Sequence, residues 1–149
     1  METENDKYDN KSIMKEARII ELPRFLDERG NLSFAQNVTQ IPFEIKRVYW
    51  LYDVPAGECR GGHAYKENEE LIIALSGSFD VILDDGNERK SYSLNRPFYG
   101  LYVPKGMWRE MENFSTNSFV LEFASTNFDE DDYVRDYGQF LKMKRDGKI

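Results

Sequence analysis

Nine short runs of β-branched and aromatic residues, separated by turn-forming residues, follow one another from Ala17 to residue 125. The runs are "ARIIELP", "NLSFAQN", "KRVYWLYD", "ELIIALSG", "SFDVILDD", "RKSYSLN", "FYGLYVP", "MWREMENF" and "NSFVLEFAS". The "DDGN" stretch at 84–87 is typical of a hairpin, because glycine accepts the positive φ that a primed turn requires. Many short strands at near-regular spacing predict a β-sandwich or a small barrel.

The two ends of the chain depart from this strand pattern. Residues 1–16 are polar and lack periodicity, so we predict a flexible leader there and one β domain over residues 17–149. The segment "DEDDYVRDYGQFLKMKR" instead spaces its apolar residues as a helix does, with acidic residues first and basic residues last. Its apolar positions are Tyr133, Val134, Tyr137, Phe140 and Leu141. The sequence therefore predicts a short C-terminal helix with one apolar face.

Composition excludes several classes of function. The chain has 149 residues and a formal net charge of −7, and its basic residues are scattered singly, whereas a nucleic-acid surface needs clustered Lys and Arg. No apolar run approaches the length of a membrane helix, and the charged start "METENDKYDNK" is unlike a signal peptide. The single cysteine, Cys59, excludes an internal disulfide and suits a reducing compartment. We expect a cytoplasmic protein with neither nucleic-acid nor membrane partners.

Strand alternation in "KRVYWLYD" separates two kinds of side chain. Arg47, Tyr49 and Leu51 share one face, and the residues between them share the other. In an antiparallel sandwich one of these faces turns inward. If it is the Arg47 face, a charge and a phenol line a cavity; the alternative places Arg47 at the surface.

The only histidine, His63, lies in the glycine-flanked stretch "RGGHAYKENEE". From Gly57 the spacing is G-x5-H-x-Y-x4-E-x6-G, and further on "PKGMWREMEN" has the spacing P-x-G-x-x-R-x3-N. Both spacings resemble the two halves of the cupin signature, which implies an all-β double-stranded β-helix, or jelly roll. The four positions at which a typical cupin holds its metal contain His63, Tyr65, Glu70 and Arg109.

Two of these four residues are unsuited to a metal. Divalent metals bind electron-pair donors such as imidazole, carboxylate or thiolate, whereas the Arg109 guanidinium only donates hydrogen bonds and is always positively charged. A neutral phenol at Tyr65 is also a poor ligand. We therefore expect no bound metal and no cofactor, and a cavity that works by acid–base chemistry and hydrogen bonding.

Further segments narrow the resemblance to one family. These segments are "LDERGNLSF", "IPFEIKRVYWLYDV", "RGGHAYK", "GSFDVILDDG", "GLYVPKGMWREM" and "DEDDYVRDYGQF". As an ordered set they resemble the sugar 3,4-ketoisomerase family of WxcM-like cupins, over nearly the whole length from Ala17 to Leu141. The resemblance implies a homodimer that acts on a dTDP-linked 4-keto-6-deoxy sugar and serves deoxysugar biosynthesis for surface polysaccharides such as lipopolysaccharide O-antigen.

The family reaction moves a ketone from sugar carbon 4 to carbon 3 through an enediol. It needs a base near the carbon and donors for the developing enolate oxygen. The resemblance makes His63 the catalytic base and places Tyr65 where the family has a second catalytic histidine. Tyr65 then acts either as a base with a lowered pKa or as an acid toward the enediol, and Tyr49 is a second candidate donor.

The same resemblance assigns substrate-binding residues. They are Arg29, Arg47, Arg60, Lys66, Glu70, Trp108 and Arg109. Arginine suits the diphosphate because its planar fork matches phosphate oxygens, although each arginine has a plain surface charge as its alternative. Trp108 either stacks on the base or sugar or is an aromatic residue at the sheet rim. Glu70 either orients His63 or is solvated.

Two other functions remain open from the sequence. One is a non-catalytic cupin that binds a nucleotide sugar and has lost the second histidine together with the activity. The other is a related sugar epimerase, which also needs a jelly roll and an acid–base pair.

Overall fold

The structure is a computed structural model that describes residues 13–37 and 39–149, and most of its elements are β-strands. The strands are β1 (Arg18–Glu21), β2 (Arg24–Phe25), β3 (Leu32–Ser33), β4 (Arg47–Leu51), β5 (Arg60–Tyr65), β6 (Glu70–Ser76), β7 (Phe79–Asp84), β8 (Arg89–Leu94), β9 (Tyr99–Val103), β10 (Trp108–Glu112), β11 (Phe119–Ala124) and β12 (Tyr133–Val134). One α-helix, α1 (Tyr137–Arg145), follows β12, and short 3-10 helices span Ile13–Glu16 and Glu130–Asp132. No helix in this described part of the chain is long and apolar enough to cross a membrane.

The strands form two five-stranded sheets in which neighbouring strands are antiparallel. The first sheet has the order β1-β9-β6-β11-β4 and the second has the order β12-β5-β10-β7-β8. Strands β2 and β3 form a separate hairpin. This arrangement confirms the predicted all-β jelly roll with a short C-terminal helix.

The facing sides of the two sheets enclose the main core, and a second, smaller cluster that includes Leu71 and Ile73 packs on the other side of the first sheet. In β7, for example, Phe79, Val81 and Leu83 are buried while the residues between them are half-buried. Ile72 and Val120 of the first sheet belong to the same core cluster. Burying a side chain of this size stabilises the fold by about 1.5–3 kcal/mol. The core fixes the two sheets relative to each other, and with them the residues at the end of the sandwich.

Strand β4 decides between the two alternatives that its alternation left open. Arg47, Tyr49 and Leu51 are half-buried on the inner side, whereas Val48, Trp50 and the adjoining Tyr52 are exposed on the outer side. Tyr49 and Leu51 of this face line a cavity, and Arg47 adjoins it.

Two predicted boundaries are wrong. The helix begins at Tyr137, where the Asp136 carboxylate caps it by accepting the Gln139 N–H at 2.7 Å. Tyr133–Val134 instead pairs with β5 as a strand. The predicted leader of residues 1–16 also extends too far, because Ile13–Glu16 form a 3-10 helix that buries Met14 in the core. Residues 1–12 of that leader lie outside the described residues.

Candidate active site

A cavity of about 410 Å³ opens at one end of the sandwich, beside the inner side of β4 and β5. His63 and Tyr65 of β5, Tyr49 of β4, and Tyr133 with the adjoining Arg135 are among its lining residues. Strand register brings these side chains together. Tyr133 lies opposite Tyr65 across the β12–β5 pair. The sandwich therefore assembles an imidazole and three phenols around one opening.

His63 is held against two of the phenols and carries no charge at neutral pH. Its ring centroid lies 4.8 Å from that of Tyr65 and 5.0 Å from that of Tyr133. Its side chain is largely buried, at 7% exposure, and its Nε2 has no hydrogen-bond partner in the described part of the protein. Burial first, and then the charges of Arg109, Arg135 and Arg47, lower the pKa of His63 to about 2. A neutral imidazole has a lone pair that can accept a proton, and a pKa this low means that it becomes an effective base only when the nearby positive charge is offset.

Beneath the phenols lies a fully buried ion cluster of one guanidinium and two carboxylates. Arg109 Nη2 donates to Glu70 Oε1 at 2.8 Å and to Glu122 Oε1 at 2.9 Å. Its Nε lies 2.6 Å from Glu70 Oε2, close enough for an ion pair although the angle is too poor for a hydrogen bond. Each of the three side chains is at most 1% exposed. The cluster forms the floor of the cavity, which Arg109 and Glu122 line.

A glycine in the motif around His63 makes room for this cluster. Gly61 has φ +73, and a Cβ built on it would lie 2.2 Å from Nη1 of Arg109. The same Nη1 donates to the Gly61 carbonyl at 3.2 Å. Arg109 also pairs with His63 across β5 and β10, just before an irregularity in the register. The glycine therefore lets the guanidinium pass directly beneath the histidine strand.

The buried cluster sets the protonation of the groups above it. Burial raises the pKa of Tyr65 and, together with the charges of Glu122 and Glu70, raises the pKa of Tyr49 well above its usual value. Both phenols are therefore protonated at neutral pH, and the interpretation of Tyr65 as a base with a lowered pKa is wrong. Burial also raises the pKa of Glu122 to about 7, against the opposing effect of Arg109.

The side chains that occupy the cupin metal positions do not fit a metal ion. The Arg109 guanidinium lies between the carboxylates of Glu70 and Glu122 and uses their oxygens as its own partners. No group of three or more His, Cys, Asp or Glu side chains among residues 13–37 and 39–149 could hold a metal ion. The ionic centre of this cavity is a guanidinium.

The structure brings together only part of the predicted set. His63, Tyr65, Tyr49, Arg60 and Arg109 line the cavity. Arg47 adjoins it through a 3.5 Å hydrogen bond from its Nη1 to the Tyr133 hydroxyl.

Five of the predicted substrate residues, Arg109 among them, already have partners within the protein. Arg109 and Glu70 are locked in the ion cluster, so Glu70 neither orients His63 nor is solvated. Trp108 is buried against Tyr137 and Phe140 instead of facing a ligand.

The last two of the five lie outside the cavity. The Arg29 side chain is 90% exposed and pairs with Asp27 in the turn between β2 and β3. Lys66 is exposed and donates to the Asp131 carbonyl at 2.8 Å. Neither residue lines the cavity of its own chain.

Sequence reasoning missed three residues of the site: Glu122, Tyr133 and Arg135. A signal for Glu122 was present, because it is the one charged residue in the otherwise apolar run "SFVLEFA" and faces the same side as buried Val120. Tyr133 and Arg135 were not predicted as site residues because the sequence pattern placed them in a helix. Their position depends on pairing with β5, which no local pattern reveals.

Acidification should destabilise the wild-type protein more than a His63→Gln variant. An unfolded histidine titrates near pH 6.5, whereas the pKa of folded His63 is about 2, so below pH 6.5 the unfolded chain binds one more proton. This stabilisation is complete above pH 6.5 and is lost as the pH falls, by about 1.4 kcal/mol per pH unit. Urea unfolding of both proteins between about pH 7 and pH 5 measures the difference. An equal loss in both would contradict a buried neutral imidazole.

Comparison with known proteins agrees with this geometry. A family model described as FdtA, WxcM-like, C-terminal, matches residues 15–145. The chain is 42% identical over 127 residues, 85% of its length and 91% of the relative's, to a TDP-4-oxo-6-deoxy-α-D-glucose-3,4-oxoisomerase from Aneurinibacillus thermoaerophilus.

Two crystal structures extend the comparison. A 3,4-ketoisomerase from Helicobacter canadensis is 44% identical, with a TM-score of 0.85 over 87% of this chain and 98% of that one. A histidine-to-asparagine mutant of the 3,4-ketoisomerase QdtA from Thermoanaerobacterium thermosaccharolyticum, in complex with TDP-4-keto-6-deoxyglucose, is 33% identical, with a TM-score of 0.85 over 87% of this chain and 94% of that one. Jelly roll, cavity and sequence agree, and the chain belongs to the FdtA family of WxcM-like proteins.

Proposed function

We propose that this protein is a 3,4-ketoisomerase of a TDP-linked 4-keto-6-deoxy sugar that works without a metal ion. The observation that carries the proposal is the neutral, largely buried His63, whose unpartnered nitrogen shares a cavity with three phenols. The sugar specificity is supported by the family relatives, which are 3,4-ketoisomerases named for TDP-linked sugars. The reaction needs no redox cofactor because the ketone and the hydroxyl exchange places within one molecule.

The mechanism follows from the two kinds of group in the cavity. His63 takes the proton from carbon 3, the electrons of that C–H bond form a carbon–carbon double bond, and the carbonyl oxygen on carbon 4 takes a proton from a phenol. In the enediol that results, the hydroxyl on carbon 3 returns a proton to the phenol, and the imidazolium delivers its proton to carbon 4. One imidazole serves both carbons because they are adjacent.

Arginines at the cavity are placed to hold the diphosphate. Arg60 and Arg135 line the cavity, and Arg47 lies beside Tyr133. Guanidinium groups bind phosphate oxygens through paired hydrogen bonds. Since Arg135 and Arg47 both lower the pKa of His63, a bound diphosphate would offset their charge and raise that pKa. Substrate binding would thus strengthen the base that the reaction needs.

Incubation with TDP-4-keto-6-deoxyglucose in deuterated water tests the proposal. We expect the ketone to move to carbon 3 and solvent deuterium to enter the sugar ring, both followed by NMR. Tight binding without exchange would indicate a non-catalytic binding protein and contradict the proposal. Exchange with inversion at a ring carbon and no ketone migration would indicate an epimerase.

We also propose that the protein is a homodimer that uses the outer face of its first sheet. Exposed apolar side chains lie on this face and on the adjoining hairpin: Val48, Trp50, Tyr52, Leu75, Phe25, Leu26, Leu32 and Phe34. Strand β4 is also an unpaired edge of the sheet. A surface of this kind is typical of an interface. We assign a second copy of the chain as the partner, because a symmetric dimer buries this apolar face on both subunits.

Replacing Trp50, which is 53% exposed, with glutamate should convert the dimer to a monomer. The charge would have to be buried in an apolar interface, which is costly without a partner. Sedimentation equilibrium should give twice the chain mass of 17.5 kDa for the wild type and the single mass for the variant. Phe128→Glu, an exposed aromatic beside Tyr133 instead of on this face, should remain a dimer. A monomeric wild type would contradict the proposal.

We place the enzyme in the cytoplasm and in deoxysugar biosynthesis for surface polysaccharides such as lipopolysaccharide O-antigen. The single cysteine, Cys59, is free and exposed, as suits a reducing compartment.

A further inference from the structure

Counting hydrogen bonds at the three cavity phenols shows which of them has a proton to give, and this inference rests on the proposed function. A phenol has one proton to donate, whereas its oxygen can accept from others. Tyr49 donates its proton to Glu70 Oε1 at 2.5 Å and accepts from Arg109 Nη2 at 3.0 Å. The proton of Tyr49 is therefore committed to the ion cluster below the cavity.

Tyr65 is also committed. Its hydroxyl donates to the hydroxyl of Tyr133 at 3.3 Å. It lies equally far from the hydroxyl of Tyr49, but neither phenol has a second proton to donate there. The single proton of Tyr65 is therefore used in the bond to Tyr133.

Tyr133 is the phenol with a proton to spare. Its oxygen accepts from Tyr65 and from Arg47 Nη1, at 3.3 Å and 3.5 Å. Arginine can only donate, so both contacts use the oxygen's lone pairs. The Tyr133 proton has no acceptor in the described part of the protein. The residue lines the cavity beside His63.

We propose that Tyr133 is the catalytic acid that protonates the sugar oxygen on carbon 4. As His63 removes the proton from carbon 3, the O–H bond of Tyr133 breaks and the proton joins the oxygen on carbon 4. The hydrogen bonds from Arg47 and Tyr65 then stabilise the negative phenolate oxygen. The hydroxyl on carbon 3 returns a proton to Tyr133 as the second carbonyl forms, so the residue ends the cycle as it began.

The fold holds Tyr133 firmly in this position. The neighbouring Asp132 carboxylate accepts the backbone N–H groups of Glu67 and Asn68 at 2.7 Å and 3.2 Å. Backbone pairing sets Tyr133 opposite Tyr65. The Arg135 guanidinium lies over the Tyr133 ring, 4.2 Å from its centre. The acid is therefore preorganised before substrate arrives, as electrostatic catalysis requires.

Comparing two tyrosine-to-phenylalanine variants tests the assignment. Tyr133→Phe removes the donor and should lower kcat by about 100-fold, whereas Tyr65→Phe removes only one hydrogen bond to the phenolate and should lower it by about 10-fold. Tyr99→Phe is the matched control, because that hydroxyl bonds Asn95 outside the cavity, and its kcat should equal the wild-type value. Turnover of TDP-4-keto-6-deoxyglucose, TDP affinity and thermal unfolding are measured for each protein.

A larger loss in Tyr65→Phe than in Tyr133→Phe would overturn the proposal, and so would wild-type kcat in Tyr133→Phe. Unchanged TDP affinity and melting temperature in Tyr133→Phe separate a catalytic loss from a structural one. If Tyr133→Phe melts early, a Tyr65→Phe variant that keeps about a tenth of the activity or more still supports the proposal, and one that loses about 100-fold or more opposes it. An inactive wild type would refute the proposed function itself, which keeps the two failures distinct.

Discussion

Replacing His63 with asparagine should lower the rate of isomerisation by about a thousandfold, because the variant loses the general base. His63 is the only histidine in the chain, so no second imidazole can take over. The cavity phenols cannot replace it, since burial raises the pKa of Tyr65 and of Tyr49. Asparagine keeps a polar side chain of similar size but cannot accept a proton at neutral pH. Both ketone migration and deuterium exchange should fall together.

Binding and stability measurements show whether this loss is chemical. TDP affinity should be unchanged in His63→Asn, because the arginines proposed to hold the diphosphate, Arg47, Arg60 and Arg135, are untouched. The variant's free energy of unfolding at neutral pH is measured beside it. A variant that binds TDP normally and still isomerises at more than a tenth of the wild-type rate would remove His63 from the role of base.

Local patterns predicted most of the fold because strands that pack on one core alternate regularly. All nine predicted runs contain strands, and alternation correctly grouped Arg47, Tyr49 and Leu51 on one face of β4, although it left open which face turns inward. The missed strands are short or atypical. Strand β5 contains two glycines, which disfavour strands. Strand β12 has only two residues, and their spacing from the apolar residues of α1 is that of a helix.

The site was harder to predict because its chemistry depends on pairs far apart in the sequence. Spacing placed His63 and Tyr65 together, and the structure agrees. Arg109 was assigned to phosphate because the sequence around an arginine does not show which groups it will bind in the folded protein. Glu70 and Glu122, which neutralise it, lie on β6 and β11 and meet it only once the sheets have packed. A buried charge requires partners, but the sequence does not name them.

Replacing Arg109 with methionine should lower the free energy of unfolding by about 3–5 kcal/mol. The substitution leaves Glu70 and Glu122 buried without the guanidinium that bonds them both. Tyr49 loses its hydrogen bond from Arg109 as well. Methionine fills a similar volume, so the loss reflects uncompensated charge and not a cavity. Urea unfolding at neutral pH measures the difference.

Arg89→Met is the matched control, since this arginine also bridges two carboxylates. Arg89 bonds Asp84 at 3.0 Å and Glu110 at 2.9 Å, but its side chain is 46% exposed. Glu110 is partly exposed, and the more buried Asp84 keeps hydrogen bonds from the Tyr137 hydroxyl and the Gly86 N–H, so the loss should stay near about 1 kcal/mol. Each variant removes an arginine that bridges two carboxylates, and the Arg109 site is the more buried of the two. Equal losses of unfolding free energy would show that burial adds nothing to the strength of the Arg109 cluster. A loss several-fold larger in Arg109→Met would show that burial strengthens it.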